Sequence, residues 1–122
     1  HIQLVASETA NWKIDEAYAV SKALFKKHPD VQLLFAANDM MAMGAVKYLQ
    51  ESGKTKVQVV GYDALAEAIT EIRSGRMAAT VDQQAAEQGY QGVALALRLI
   101  QGKEIPATTL VETRLISASN LP

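Results

Sequence analysis

Asn38, Asp63 and Gln83 are the side chains of this sequence best suited to hold a small polar ligand. Each ends an apolar, strand-like run: "VQLLFAAN", "VQVVGYD" and "ATVDQ". An ionised carboxylate accepts several hydrogen bonds, and a carboxamide supplies both donors and an acceptor. Hydroxyl groups donate and accept at once, so the set suits a polyhydroxylated small molecule. Hydrogen bonds to a charged group contribute about 1.5–3 kcal/mol each when sheltered from water. Trp12, in "ETANWKID", adds a large flat apolar face with a polar edge, which is the shape that covers the C–H face of a sugar ring.

Each of these residues also has a plainer role open to it. Asp39 and Asp63 stand where helix N-caps stand, and capping alone explains an Asp at either place. Asn38 and Gln83, taken singly, fit solvated loops, and Trp12 fits packing over the end of the first helix. Three of the four Met residues fall in "MMAMG", where helical spacing reads as core filler and not as a metal site. His28 precedes Pro29 and reads as a helix C-terminal residue interacting with the dipole.

Enzyme chemistry finds little support. No G-x-G-x-x-G follows a strand and no G-x-x-x-x-G-K-[ST] occurs, so dinucleotide and P-loop chemistry lack their motifs. No G-x-S-x-G elbow is present, and His1 and His28 are the only histidines, which leaves a catalytic triad little to work with. Asp39, Asp63 and Asp82 offer a phosphatase-like cation site at the strand ends, but no nucleophile motif adjoins them. The reading is therefore of a non-enzymatic protein without a cofactor.

Composition sets the same limits. At 122 residues the chain has the size of one domain. Lys and Arg total 12 against 13 for Asp and Glu, with no basic run, so a phosphate-tracking surface is not expected and neither is a nucleic-acid partner. The absence of cysteine removes disulfides, a thiolate nucleophile and cysteine-based zinc, without deciding the compartment. No apolar run reaches the roughly 18–20 residues of a membrane span, and the first residues lack a signal-peptide layout. The chain opens on "HIQLVA", inside a strand-like segment, as a trimmed chain or a fragment would. His1 is given no function.

The elements that position these side chains alternate. Strands are expected at 2–6, 31–36, 57–62 and 77–81, with a final strand or pair of strands within 108–117. Helices are expected at 13–27, 40–51, 64–74 and 85–101, from apolar residues at helical spacing and from the Gly or Pro that follows each. Alternation of this kind implies βαβ units and a mainly parallel sheet with helices on its faces, an α/β three-layer sandwich. All strand C-termini then share one edge, where ligands bind in such folds. Asn38, Asp63 and Gln83 are delivered to that edge, and Trp12 follows the first strand.

The stretches "HPDVQLLFAANDMMAMGAVKYLQESGK", "VQVVGYDALAEAITEIRSGRMAATVDQ" and "GYQGVALALRLIQGKEI" resemble the periplasmic sugar-binding proteins of the ribose and galactose type. The resemblance covers essentially the whole chain. The lac-repressor family shares "ND-MA-GA" and "VVGYD", but its members usually end differently, and "SGRMAATVDQ" resembles the transport branch. The resemblance implies one lobe, the C-terminal one, of a two-lobe fold that closes on a sugar. It implies that Asn38, Asp63 and Gln83 are polar sugar ligands and that Trp12 is the stacking aromatic, with Asn38 facing the ligand and Asp39 capping the helix. Trp12 with "YDALAEA" is similar to the galactose and glucose binders, and Gln83 to the ribose binder, so a pentose and a hexose both stay open.

The implied function is monosaccharide binding for an ABC-type importer or a chemotaxis or sensor partner, in the periplasm or outside the cell. The alternative is the ligand-sensing domain of a lac-repressor-type regulator. The resemblance further implies that residues 85–101 form a helix that packs on the other lobe. With Val93, Ala94, Leu95, Ala96, Leu97, Leu99 and Ile100 in it, that helix would leave an apolar face bare in this chain alone. Self-association, by exchange of that helix between two copies, is the expected consequence.

Overall fold

The computed structural model describes residues 1–122. Helix α1 spans Ile14–Lys27 and buries Ala17, Ser21 and Phe25, one stripe at four-residue spacing, with Asp15 and Glu16 in its first turn and Lys26 and Lys27 in its last. That charge order complements the helix dipole. Strand β1 is Leu33–Phe35, helix α2 Asp39–Glu51, strand β2 Gln58–Tyr62 and helix α3 Ala66–Arg73. Strand β3 (Ala79–Asp82), helix α4 (Ala85–Ile100) and strand β4 (Arg114–Ser117) complete the chain. Gly53 and Gly75, at φ +71° and +78°, close α2 and α3 in the left-handed conformation that glycine adopts without steric cost.

The strands lie in the order β1-β2-β3-β4. The first three are parallel and β4 runs antiparallel to β3, so the expected mainly parallel α/β sheet is present. The chain steps across the sheet in one direction, and right-handed crossovers then put α2 and α3 on the same face. The packing agrees. Phe25 of α1, Ala42, Val46 and Leu49 of α2, Ala68 and Ile72 of α3, and Val59 of β2 form one core with Ala36 and Met77.

Register explains which strand residues join that core. Leu34 pairs with Val59, and Gly61 with Thr80, so these residues share the helix-covered face. The alternate row includes Leu33, Phe35 and Leu115, which are 47%, 60% and 59% exposed. That row leaves the opposite face of the sheet partly open along β1 and β4.

Two expectations change. Residues 2–6 form no strand. Ile2, Leu4 and Val5 stand 86%, 81% and 50% exposed. Apolar alternation makes a segment fit to be a strand, but a strand exists only with a neighbour to bond, and β1 pairs with β2 alone. In the expected 108–117 segment, Arg114–Ser117 alone forms a strand, bonded along Ala79–Asp82. Helix α4 forms as expected, yet none of its residues is buried.

Candidate functional site

At the β1–α2 junction the helix cap falls on Asn38 and not on Asp39, where it was expected. Asn38, extended at φ −150°, is the N-cap of α2, and its Oδ1 accepts from the Met41 amide at 2.9 Å. Asp39, expected as the cap, is the first helical residue and is fully buried. Its Oδ2 accepts from the Leu65 amide at 2.8 Å and its Oδ1 from the Thr80 hydroxyl at 2.7 Å. The physical reason is space beneath the helix start. A Cβ built on Gly61 would lie 2.1 Å from Asp39 Oδ1, so the missing side chain of Gly61 is what admits the carboxylate. Burial pushes the Asp39 carboxyl above the usual range, against the lowering effect of these two hydrogen bonds, and the nearby charge of Asp63 raises it further. Asn38 uses its carbonyl oxygen in the cap, and its Nδ2 donors take no part in that bond.

The β2–α3 connection is held in an unusual conformation. Asp63 and Ala64 have φ of 114° and 56°, a region that residues with a Cβ rarely occupy. Three successive amides are tied down. Asp63 N donates to the Val81 carbonyl at 2.8 Å, Ala64 N to Thr80 Oγ1 at 3.3 Å, and Leu65 N to Asp39. The N-cap of α3 is Leu65, without a side-chain bond, so the capping role left open for Asp63 falls away. Its Oδ1 instead accepts from Gln83 Nε2 at 2.6 Å. A carboxylate and a carboxamide from two neighbouring strand ends thus meet at the C-terminal edge of the sheet. Each keeps an oxygen able to accept from a hydroxyl.

Trp12 approaches from a different side. Lys13 N donates to the Ala10 carbonyl at 3.0 Å, closing a turn whose two central residues, Asn11 and Trp12, have φ of 49° and 65°. A bulky residue in that conformation is uncommon, and such outliers gather at ligand-holding positions. The indole is 64% exposed, so it does not pack over the first helix as the plainer reading had it. It borders an open cavity of about 370 Å³ together with residues 7–10, Ala37 and Met41. Ala37 and Met41 flank Asn38, which places the Trp12 cavity beside the α2 cap. Asp63 and Gln83 are not among its lining residues.

The structure therefore brings Asp63 and Gln83 into contact, sets Asn38 next to the buried Asp39, and places Trp12 on the wall of a cavity that Asn38, Asp63 and Gln83 do not line. The three carboxylates of the cation reading do not converge. Asp39 is engaged with Thr80 and Leu65, Asp82 accepts from the Gln84 amide at 2.7 Å, and no group of three metal-ligating side chains is formed. Sequence reasoning left Thr80 unnamed and gave Asp39 a capping role in place of the buried pairing that the structure shows. The one sequence signal is that Asn38, immediately before Asp39, is itself a good N-cap, which leaves the Asp without that task.

Residues 1–104 match the family model described as the periplasmic binding protein domain. The chain belongs to the periplasmic binding protein family. It is 39% identical over 103 residues to the D-ribose/D-allose-binding protein of Pseudomonas aeruginosa, a match covering 84% of this chain and 32% of that protein. It is 35% identical over 113 residues to the ribose import binding protein of Escherichia coli, covering 93% and 38%. Among solved structures, the solute-binding protein of Actinobacillus succinogenes with bound D-allose superimposes with a TM-score of 0.92 at 35% identity, over 96% of this chain and 42% of that one. The glucose-galactose binding protein of Geobacillus stearothermophilus gives 0.94 at 31% identity, over 98% and 43%. The chain thus spans about a third to two fifths of the length of these family members. All four are binding proteins by name.

Proposed function

We propose that these residues form the C-terminal lobe of a two-lobe periplasmic protein that binds a monosaccharide, a pentose or a hexose, for an ABC-type importer or a sensor partner. The observation that carries this reading is the Asp63–Gln83 contact at the C-terminal edge of the sheet, in a lobe whose solved relatives include one with bound D-allose. Asp63 accepts from sugar hydroxyls, Gln83 orients Asp63 and adds a contact of its own, Asn38 donates through Nδ2, and Trp12 covers a ring face. A second lobe supplies the opposite wall. Sugar contacts both lobes in the closed form only, so binding shifts the population toward closure, and the closed form is what a membrane partner reads. The relative from Escherichia coli described as the D-allose-binding periplasmic protein, 37% identical over 119 residues, supports the compartment.

Calorimetric titration of the full-length protein with a panel of pentoses and hexoses tests the reading. One sugar binding tightly supports it, and a folded protein that binds none overturns it. On that sugar, Trp12→Ala is expected to weaken binding by roughly 30- to 150-fold, from the loss of about 2–3 kcal/mol of ring-face burial. Because the indole is exposed in this lobe, the same change should move stability by less than about 0.5 kcal/mol. Equal losses of affinity and stability would mean that Trp12 is a packing residue.

Self-association of the 122-residue chain belongs to the same reading. Tyr90, Val93, Leu97 and Ile100 fall at spacings of three and four residues, one stripe of α4, and are 69%, 64%, 53% and 82% exposed. Apolar stripes of this width normally face a core. A second copy is the available cover when the rest of the protein is absent. Light scattering at high concentration should give about twice the chain mass of 13.2 kDa, and Leu97→Glu should restore the monomer. A clean monomer of the unaltered chain would reject this.

A further inference from the structure

We infer that Asp39 and Thr80 are positioning residues for the sugar site: without touching ligand, they hold the 63–65 loop from beneath and so fix where the Asp63 carboxylate stands. The inference rests on the proposed role of Asp63 in sugar binding. Thr80 and Asp39 are both 0% exposed and are joined at 2.7 Å. Between them they take two of the loop's amides, Ala64 N on Thr80 Oγ1 and Leu65 N on Asp39 Oδ2. The third amide, that of Asp63, is held by the Val81 carbonyl one residue beyond Thr80.

The conformation shows why such anchoring is needed. Asp63 and Ala64 sit at φ of 114° and 56°, which a free loop would leave because positive φ is unfavourable for residues with a Cβ. Persistence of that geometry requires the surroundings to over-determine it, and the surroundings are these bonds. Burying a carboxylate is costly unless it is fully hydrogen-bonded, so a structural loop that needed a simple anchor would be served by a neutral group. A carboxylate beneath the loop instead gives charge-assisted bonds, which are shorter and stiffer. The same Asp39 follows the Asn38 cap directly, so the ends of β1, β2 and β3 are tied through one buried side chain. Gly61 completes the device by leaving the space that Asp39 Oδ1 fills.

Thr80→Val tests this in the full-length protein. It keeps the shape of the side chain while depriving Asp39 Oδ1 of its donor and Ala64 N of its acceptor. Affinity for the sugar selected by the panel should fall about tenfold or more, and Thr80→Ser should restore it to within about threefold. In an Asp63→Asn background the Thr80→Val change should cost less than about threefold, because the group it positions has already lost its charge. A merely structural pair predicts otherwise: Thr80→Val lowers the melting temperature with affinity unchanged in the folded protein, or costs the same in both backgrounds. Either result overturns the inference. If Thr80→Val does not fold, Asp39→Asn, which keeps the volume, should lower affinity by several-fold, and unchanged affinity overturns the inference as well. Should Asp63→Asn and Asp63→Ala both leave affinity intact, the site reading itself fails and the inference with it. Intact dependence on Asp63 with none on Thr80 or Asp39 removes the inference alone.

Discussion

If Asp63 holds sugar as proposed, Asp63→Ala in the full-length protein is expected to weaken binding by roughly 10²- to 10⁴-fold, the equivalent of two charge-assisted hydrogen bonds at about 1.5–3 kcal/mol each. The estimate follows from where the carboxylate stands. It is half-buried at the end of β2, with one oxygen held by Gln83 at 2.6 Å, and a second lobe closing over it would remove the remaining water. Truncation also leaves Gln83 Nε2 without its acceptor, so both members of the proposed site lose definition at once. Asp63→Asn is the graded control. It keeps the acceptor for Gln83 and loses the charge, so it should cost less than Asp63→Ala and more than tenfold. Calorimetry measures both, and thermal unfolding separates them from damage to the lobe. Since Asp63 caps no helix and its backbone is held by Val81, stability should change by about 1 kcal/mol or less. Full affinity in a folded Asp63→Ala protein would remove the carboxylate from the site.

What could be read from the residues, and what could not, divides along local and non-local physics. Helix α1 was legible because Ala17, Ser21 and Phe25 repeat at one helical spacing and Pro29 follows, all within a few turns of chain. β2 and β3 were legible because each is a short apolar run bounded by turn residues. Residues 2–6 carry the same local pattern and form no strand, since strand formation depends on a bonding neighbour that no local pattern specifies. The junction of Asn38 and Asp39 failed for a related reason. Both residue types cap helices well, and the choice between them was made by Gly61 and Thr80, residues distant in sequence that leave room for a carboxylate and offer it a donor. The Asp63–Gln83 contact could be anticipated as two polar residues on one edge, but not as a bond. That needed the register of β2 against β3, with Tyr62 beside Val81.

Gly44→Ala should destabilise this chain by about 2–3 kcal/mol, although Ala is the better helix former by about 1 kcal/mol. A Cβ at Gly44 would lie 2.2 Å from the Ile14 carbonyl oxygen and 2.9 Å from Ala17 Cβ and from the Tyr18 amide. Two of those three atoms are backbone of α1 and cannot rotate away, so the helix pair must separate by roughly 1 Å to restore ordinary contact distance. Gly92→Ala is the matched comparison, because Gly92 lies in α4 with nothing within 4 Å of the added atom. There the propensity gain stands alone, and stability should rise by up to about 1 kcal/mol. One substitution in two helices thus carries opposite signs, and denaturant midpoints read both. Destabilisation at Gly44 should also reach the site. Helix α1 begins two residues after Trp12, and α2 begins on Asn38 and Asp39, so parting the two helices moves the indole away from the cap that flanks its cavity. In the full-length protein, Gly44→Ala should therefore weaken sugar binding by several-fold while the lobe stays folded. The effect should be absent once Trp12 is Ala, since the displaced group is then gone. A folded Gly44→Ala protein that loses as much affinity in the Trp12→Ala background would show that the helix pair acts on the site through some residue other than Trp12.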